Sequence, residues 1–369
     1  MSNCYVGLMS GTSLDGIDAV VVDFSGEKPR LLHQYYESYE KPLREQLSAL
    51  SNPGENEVER LGYWDSVLGQ RFAAVTLKLL EKSGLSKEDI NAIGSHGQTI
   101  RHRPTGTHPY TLQIGDPNII ASKTGITTVA DFRRMDIAYG GQGAPLVPGF
   151  HQVMFADEKQ TRVILNLGGI ANITLLRPQA AILGFDTGPS NCLLDDWAHH
   201  SLNQTHDKAG QFAKSGQVNK ALLSCFLAEP YFGLPPPKST GREYFNLAWI
   251  KQTLQASGLS SLSPQDVQAT LVALTANSIT QAIQHAAADA KLVIACGGGV
   301  HNVYLMNCLQ AALRPIPLHT TAEFGFEPDW VEAGAFAWLA KQTLEGKPGN
   351  VPSVTGARKA AVLGGVWRG

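Results

Sequence analysis

One carboxylate, Asp186, stands where it could act as a general base. It lies in the run Gly184-Phe185-Asp186-Thr187-Gly188-Pro189. Phosphoryl transfer asks a protein mainly to position groups, neutralise charge and orient a nucleophile, so one carboxylate near the acceptor is an expected signature. The same residues are also typical of an Asx-turn, in which the aspartate only shapes the backbone. The residues alone leave both roles open.

Three glycine-rich turns could bring backbone N–H groups close to nucleotide phosphates. The first glycine turn is residues 10–16, the second is residues 168–172 and the third is residues 297–302. Each one taken alone is typical of an ordinary hairpin or loop. Their order favours a nucleotide held between two domains, with one hairpin on each side of the phosphates and the third turn beneath the adenosine.

Acidic and hydroxyl side chains belong to the first glycine turn or follow it closely. Either Asp15 or Asp18 could hold Mg²⁺ and would do so through water, because this ion gives up its hydration shell reluctantly. A solvated strand start explains Asp18 equally well. Ser10, Thr12 and Ser13 offer hydroxyl groups to phosphate, although such residues are also common turn formers.

The elements that must position these residues are strands alternating with helices. Apolar runs on both sides of the first two glycine turns predict a β-hairpin at the head of each half of the chain. The third turn joins a predicted strand, 292–296, to a helix near 304–313. Further helices are predicted over 55–82 and from Ser263, an N-cap residue followed by proline. This pattern predicts an α/β fold with mixed sheets flanked by helices.

A chain of 369 residues is long enough for two domains. Glycine and proline crowd residues 139–150, which we interpret as the region of the domain junction. The predicted domains are residues 1–134, with the tail 345–369 packing back onto them, and residues 135–344. Two domains make room for a cleft.

Composition argues against several classes of protein. A net charge of −2 offers no attraction to nucleic acid or to an anionic membrane, which favours small-molecule partners. The apolar runs are of strand length, whereas a membrane-spanning helix needs roughly 20 residues. No signal peptide is evident, so the predicted location is the cytoplasm. Five widely spread cysteines argue against a disulfide framework or a zinc site, and we expect them to be buried thiols.

Four motifs resemble, in the same order, those of the anhydro-N-acetylmuramic acid kinase family, within the actin/Hsp70/hexokinase ATPase superfamily. They are Gly7-Leu8-Met9-Ser10-Gly11-Thr12-Ser13-Leu14-Asp15-Gly16-Ile17-Asp18, Gly140-Gly141-Gln142-Gly143-Ala144-Pro145-Leu146-Val147-Pro148, Asn166-Leu167-Gly168-Gly169-Ile170-Ala171-Asn172 and Gly184-Phe185-Asp186-Thr187-Gly188-Pro189. The resemblance extends from Val6 to the C-terminus. It implies a two-domain actin-like ATPase fold of ribonuclease-H-like type with a central cleft, ATP and Mg²⁺ as cofactors, and a homodimer.

The resemblance also implies a reaction and a set of site residues. Water opens the 1,6-anhydro ring of the sugar while O6 accepts the γ-phosphoryl group of ATP, and Asp186 is the catalytic base that activates the water. The residues implied to bind ATP and its phosphates are Gly11, Thr12, Ser13, Asp15, Gly16, Asp18, Asn166, Gly168, Gly169, Asn172, Gly297, Gly298 and Gly299. The residues implied to bind the sugar are His96, Gln98, Asp116, Arg134 and Glu332.

Structural explanations exist for several of the sugar-binding residues. An arginine near residues 101–134 could clamp the lactyl carboxylate or the γ-phosphate, or could form a surface salt bridge. Lone histidines such as His96 are usually structural. Glu332 heads a helical run, where an acid also complements the helix dipole.

Two other functions compete with the one that the resemblance implies. A hexose or N-acetylhexosamine kinase of the same superfamily would phosphorylate a free hydroxyl group, but the branch that does so usually carries a cysteine-rich zinc motif, which this chain lacks. A non-catalytic or polymerising actin-like protein would bind ATP without this chemistry. Comparing the anhydro sugar with free N-acetylmuramic acid tests the first, and sedimentation with ATP tests the second.

Overall fold

The computed structural model describes residues 3–369, and the chain divides into two compact units. Unit 1 contains the chain up to Met154 together with Trp330–Gly369, and unit 2 is Phe155–Asp329. These units differ from the predicted domains, because residues 135–154 and 330–344 lie in unit 1 rather than in the second domain.

A buried aspartate explains the difference in boundaries. The carboxylate of Asp136 accepts hydrogen bonds from the amide of Asn350 (2.7 Å), the hydroxyl of Thr355 (2.8 Å) and the backbone N–H of Gly143 (2.7 Å). A buried charge of this kind is stable only with such partners. The glycine- and proline-rich stretch is therefore bound to the C-terminal segment of unit 1 and does not form a free junction.

Strands and helices cover most of the described chain. The strands are β1 Cys4–Ser10, β2 Gly16–Asp23, β3 Arg30–Ser38, β4 Ile90–Arg103, β5 Tyr110–Ile114, β6 Thr128–Ala130, β7 Arg162–Leu167, β8 Ile170–Leu176, β9 Leu183–Pro189, β10 Leu292–Cys296, β11 Leu318–Thr320 and β12 Gly365–Trp367. The α-helices are α1 Lys41–Leu50, α2 Glu57–Ser83, α3 Pro117–Thr124, α4 Arg134–Ala138, α5 Pro148–Phe155, α6 Asn191–Leu202, α7 Gln211–Lys214, α8 Lys220–Leu227, α9 Leu247–Ala256, α10 Pro264–Ala286, α11 Val303–Leu313, α12 Val331–Leu344 and α13 Pro352–Thr355.

Both units contain a mixed sheet with the same core topology. In unit 1 the order is β12-β6-β4-β1-β2-β3, with β5 paired to β4, and in unit 2 it is β11-β10-β7-β8-β9. The first three strands of each sheet form an antiparallel meander, and the next strand of the core, β4 or β10, pairs parallel with the first. The predicted α/β class with mixed sheets is confirmed, as are both predicted hairpins.

The local sequence explains these elements. Five of the eight residues of β2 are buried aliphatic side chains, and all five residues of β10 are buried, as continuous apolar runs between covering layers should be. Helix α2 ends at Gly84, which has a φ of 68° that favours glycine. Helix α10 begins where the Ser263 side chain accepts a hydrogen bond from the N–H of Asp266.

Helix α12 packs directly on the backbone of β1 and β4. A Cβ atom at Gly7 would overlap the carbonyl oxygen of Ala333, and one at Gly94 would overlap that of Phe336. Only glycine permits this approach, which brings the first turn of α12 to the sheet of unit 1. The C-terminal segment also adds β12 to that sheet, antiparallel to β6.

The cysteines are all free thiols. Cys4, Cys192 and Cys296 are buried and Cys308 is half-buried, but Cys225 is exposed, so the expectation of buried thiols is wrong for Cys225. Within residues 3–369, none of the helices combines the length and the apolar character that crossing a bilayer requires.

Candidate active site

The first glycine turn, in unit 1, is fastened from its inner side. The buried Oγ of Ser10 lies 2.8 Å from the carbonyl oxygen of Gly16, 2.6 Å from Oε1 of Gln98 and 3.0 Å from the hydroxyl of Tyr39. The amide Nε2 of Gln98 donates to the carbonyl of Gly11 at 3.1 Å. These bonds fix the turn and occupy both ends of the Gln98 amide, whose binding to the sugar stays a prediction.

The outer side of this turn carries donors. The carbonyl of Gly11 accepts from Gln98 and from the N–H of Leu14, and because a trans peptide is planar, the N–H of Thr12 points the opposite way. Thr12 and Ser13 are exposed, and Gly11 is half-buried. The turn therefore presents a backbone N–H and two hydroxyl groups on its open side.

Asp15 and Asp18 are acids near the same turn. Asp15 is exposed and accepts from the hydroxyl of Ser13 at 2.8 Å, while Asp18 is half-buried on β2. Burial raises the pKa of Tyr39, and the negative charges of Asp15 and Asp18 both add to that rise. The two carboxylates therefore act on the same hydroxyl group. One or two carboxylates with waters are what Mg²⁺ usually takes from a protein, and these residues fit that pattern. Residues 3–369 contain no group of three or more His, Cys, Asp or Glu side chains arranged to hold a metal.

A half-buried arginine donates hydrogen bonds to the predicted histidine in unit 1. The Arg133 guanidinium donates to Nε2 of His96 at 2.9 and 3.0 Å and to the carbonyl of Gly143 at 2.7 Å. The other ring nitrogen of His96, Nδ1, lies 2.8 Å from the carbonyl of Gly97, so Nδ1 carries the proton and Nε2 accepts. Burial, followed by the charge of Arg133, lowers the pKa of His96 to about 3. His96 is thus a neutral acceptor that orients Arg133.

Glu332 belongs to the same cluster. It lies in the first turn of α12, and the ring of Phe336, one turn later, packs 4.7 Å from the His96 ring between centroids. Burial raises the pKa of Glu332, the charge of Arg133 opposes that rise and the charge of Asp15 adds to it. The structure therefore brings together two of the predicted sugar-binding residues, His96 and Glu332, around an arginine that the prediction did not choose.

Arg134 and Asp116 are placed elsewhere. The side chain of Arg134 is 71% exposed and pairs with Asp131 at 3.3 Å. Asp131 has a φ of 59°, and α4 begins at Arg134, so two consecutive arginines point in different directions. Asp116 is the N-cap of α3, where its side chain accepts from the N–H of Asn118. The cluster contains Arg133 and neither Arg134 nor Asp116, whose binding to the sugar stays a prediction.

The second glycine turn, in unit 2, also directs its carbonyl groups inward. The Gly168 carbonyl accepts from the N–H of Asn191, and the Gly169 carbonyl accepts from the N–H groups of Ser190 and Cys192, at the start of α6. Peptide planarity then points the N–H groups of the next residues, Gly169 and Ile170, away from α6. Both hairpin turns thus have the same polarity, with carbonyls held and N–H groups outward.

Two of the three late glycines are needed for packing. A Cβ at Gly297, whose φ is 82°, would overlap the side-chain oxygen of Asn166, and one at Gly299 would lie 2.6 Å from the Cβ of Leu167. A Cβ at Gly298 would meet nothing within 4 Å. The third turn therefore packs on the end of β7, beside the second turn, and only Gly298 faces open space.

Asp186 lies within strand β9 rather than in a turn. It is the cross-strand partner of Asn172 on β8, so these two predicted site residues share one face of the sheet. Its Oδ2 accepts from the backbone N–H of Thr240 at 3.1 Å, far along the chain. An Asx-turn would instead close on residues next to the aspartate, so that alternative is wrong.

A segment of residues 229–243, here called the strap, holds Asp186 in place. Asp186 N–H donates to the carbonyl of Lys238 at 3.0 Å, and the Tyr231 hydroxyl donates to the carbonyl of Asp186 at 2.8 Å. Burial raises the pKa of Asp186 to about 6; the Thr240 N–H opposes this and the charge of Glu243 adds to it. The result is an oriented carboxylate whose pKa suits proton abstraction near neutral pH.

The strap is also fastened to itself. The ammonium of Lys238 donates to the carbonyls of Tyr231 (3.0 Å) and Phe232 (3.1 Å) and lies 4.6 Å from the centre of the Tyr231 ring. Sequence reasoning missed the strap, although a signal was present: a cationic run, Lys238-Ser239-Thr240-Gly241-Arg242, follows three prolines. Arg242 brings its guanidinium against Gly169, within 3.2 Å of where a Cβ would be.

Comparison with known proteins gives a consistent result. A family model described as anhydro-N-acetylmuramic acid kinase matches residues 3–369. A curated anhydro-N-acetylmuramic acid kinase of Coxiella burnetii (strain Dugway 5J108-111) is 52% identical over 367 residues, which is 99% of this chain and 97% of that protein. Proteins of the same name from Pasteurella multocida (strain Pm70) and Shewanella putrefaciens (strain CN-32) are 50% and 51% identical, over 98% of this chain and 96% and 97% of their own lengths.

Proposed function

Because this chain belongs to the anhydro-N-acetylmuramic acid kinase family, we propose that it opens the 1,6-anhydro ring of 1,6-anhydro-N-acetylmuramic acid and phosphorylates O6 with ATP. Water adds to C1, the C1–O6 bond breaks, and O6 takes the γ-phosphoryl group as the bond to ADP breaks. The products are N-acetylmuramic acid 6-phosphate and ADP. In a cell this reaction would serve the recycling of peptidoglycan.

The observation that carries this proposal is the setting of Asp186. Its carboxylate is half-buried, oriented by the N–H of Thr240 and adjusted to a pKa of about 6 by burial. At neutral pH it is ionised yet basic enough to take the proton of the attacking water, which general-base catalysis requires. The electron pair of the broken C1–O6 bond stays on O6 and becomes the nucleophile for phosphorus.

The two hairpin turns are the proposed phosphate ligands. Each turns its carbonyl groups inward, toward Gln98 in unit 1 and toward α6 in unit 2, and its N–H groups outward. N–H groups arranged this way bind anionic oxygens well. Gly298, which faces open space in the third turn, is the proposed contact for adenosine. Asp15 and Asp18 would hold Mg²⁺ through water, where the ion would neutralise phosphate charge.

Arg133 and Glu332 are the proposed sugar ligands. The lactyl group of the sugar is a carboxylate, and a guanidinium is the side chain best shaped for such a group. His96 and the carbonyl of Gly143 fix Arg133 before any ligand arrives, which reduces the entropy lost on binding. Glu332 would accept hydrogen bonds from hydroxyl or amide groups of the sugar. A cytoplasmic location and a homodimer remain predictions.

Isotope labelling tests the proposed reaction. The protein is incubated with ATP and the anhydro sugar in ¹⁸O-labelled water and quenched early, and the product is analysed by mass spectrometry. We expect a gain of one phosphate and one labelled oxygen at C1. Unlabelled N-acetylmuramic acid 6-phosphate kept in the same water for the same time corrects for exchange at the anomeric carbon. Label no higher than in this control would contradict the proposal.

Two comparisons sharpen the test. Asp186→Asn should lower kcat by about 10²–10⁴-fold, the usual contribution of a general base. Free N-acetylmuramic acid should be a much poorer substrate than the anhydro sugar. Equal turnover of the two sugars would favour an ordinary sugar kinase, in which the acceptor is a free hydroxyl group.

A further inference from the structure

Arg242 lies at the second glycine turn without an evident structural task. Its guanidinium is close to Gly169: a Cβ built on that glycine would be 3.2 Å from Nη2 and 3.3 Å from Nε. A side chain at Gly169 would make this contact tight, so the glycine leaves room for the planar guanidinium beside the turn. Arg242 itself is exposed, so the other side of the group is open.

The charge of Arg242 is not consumed by an ion pair. In the part of the chain that the structure describes, no carboxylate forms a salt bridge with it. Its charge acts at longer range: burial raises the pKa of Asp195 to about 6 and of Cys192 to about 11, and Arg242 opposes both rises. An exposed arginine that lies beside the turn without an ion pair is available to an anionic ligand.

The backbone around Arg242 offers further donors to the same ligand. The N–H groups of Gly169 and Ile170 point away from α6, because the carbonyls of their peptides accept hydrogen bonds from the start of that helix. Backbone N–H groups beside a guanidinium are a combination that binds phosphate oxygens, since the fork of the guanidinium matches two of them.

The strap connects Arg242 to the base. Thr240, two residues before Arg242, donates its N–H to the Asp186 carboxylate at 3.1 Å. The Lys238 carbonyl and the Tyr231 hydroxyl add two more bonds between the strap and Asp186. The same short segment therefore fixes a base on β9 and a cation at the end of β7, within one unit.

We propose that Arg242 is a catalytic residue that binds the transferring phosphoryl group at the second glycine turn. This rests on the proposed function, in which that turn binds the phosphates of ATP. While the O6–phosphorus bond forms and the bond to ADP breaks, negative charge is spread over the three other phosphoryl oxygens, and Arg242 neutralises part of it. Arg242 keeps its protons throughout; the proton of the water goes to Asp186.

The test uses the full chain with three variants. Arg242→Gln removes the charge, Arg242→Lys keeps it without the fork, and Arg314→Gln removes an exposed charge elsewhere in unit 2. The measurements are kcat at saturating ATP and sugar, its dependence on pH, and the midpoint of thermal unfolding.

We expect Arg242→Gln to lower kcat by about 10²–10³-fold, as loss of a donor to developing charge does. Arg242→Lys should recover part of the loss, because a point charge remains but bidentate contact does not. The acid limb of the kcat profile, set by Asp186, should stay where it is in the wild type. Arg314→Gln should match the wild type in all three measurements, and the unfolding midpoint should change little in every variant.

Two results would overturn the proposal. One is a kcat for Arg242→Gln within about threefold of the wild type. The other is an acid limb that moves with the loss of rate, which would mean that Arg242 acts only through the base. A wild-type protein that forms no phosphorylated sugar would instead refute the proposed function itself, so the two failures are distinct.

Discussion

The charged groups of unit 1 and unit 2 are held in opposite ways. In unit 1, the half-buried Arg133 donates hydrogen bonds to His96 and to the Gly143 carbonyl, and the charge of Glu332 acts on it. In unit 2, Asp186 is half-buried with a raised pKa, and Arg242 is exposed without an ion pair. In the function that we propose, the residues around Arg133 recognise the sugar, and Asp186 and Arg242 take part in bond making.

The largest effect is expected from removing Arg133, which His96 and Glu332 contact or face in unit 1. Arg133→Met should lower the free energy of unfolding by about 2–4 kcal/mol. The Glu332 carboxylate would lose the positive charge that offsets the cost of its desolvation, and His96 would lose its hydrogen-bond donor. Arg134→Met, the matched control on the next residue, should change it by less than about 0.5 kcal/mol. Urea unfolding monitored by circular dichroism measures both.

If the two arginine variants are equally stable, the cluster contributes no more than a surface charge, and the contrast between the units is lost. Arg133→Met should also raise the Kd of the anhydro sugar, since it removes the proposed carboxylate ligand. Calorimetric titration with the sugar is the measurement, and a Kd equal to that of Arg134→Met would count against this role.

A smaller effect is expected from removing the charge of Asp186 in unit 2. Because the pKa of Asp186 is raised from 3.8 to about 6, the folded protein keeps this proton to higher pH than the unfolded chain does. The contribution of this group to stability is therefore lost as pH rises from about 4 through 6, and it is least favourable above that range. Asp186→Asn should thus gain stability relative to the wild type at pH 8 but not at pH 4.

This gain should be on the order of 1 kcal/mol, after allowance for solvent screening at a half-buried site. Thermal unfolding of both proteins at pH 4, 6 and 8 measures it. A difference between wild type and variant that does not depend on pH would show that Asp186 titrates as an ordinary surface acid.

The smallest effect concerns the strap. Tyr231→Phe removes only the hydroxyl that donates to the carbonyl of Asp186, a neutral hydrogen bond worth about 1 kcal/mol. We expect kcat to fall several-fold with little change in KM, since the base moves but the binding groups do not. Tyr63→Phe, at an exposed tyrosine of unit 1, is the control. Identical kinetics in the two variants would mean that the hydroxyl does not help to position the base.

Much of the fold could be predicted because its signals are local. Apolar runs interrupted by glycine gave both hairpins, and Ser263-Pro264 marked the start of α10. The domain boundary could not be found in this way. It depends on Asp136 binding Asn350 and Thr355, a contact between residues far apart in the chain.

The candidate site likewise contains residues that local motifs predict and residues whose placement depends on distant parts of the chain. Asp186 and the hairpin turns are contiguous motifs, so the sequence points to them. Whether Arg133 or Arg134 faces inward depends on the backbone at Asp131 and the start of α4, which neither arginine reveals. The hydrogen bonds of the Gln98 amide to Ser10 and Gly11 could not be predicted either, because these residues lie far apart in the chain.

The close contact of α12 with β1 and β4 has a consequence for how the chain is made. Unit 2 is continuous in sequence, residues 155–329, so all of it leaves the ribosome before α12 does. Until then, α12 does not pack on the strands at Gly7 and Gly94, where the backbone of the helix lies against the glycines. Domains tend to fold as soon as they are complete. The unit that is synthesised first is therefore the one that is completed last, and Glu332 arrives with the helix that completes it.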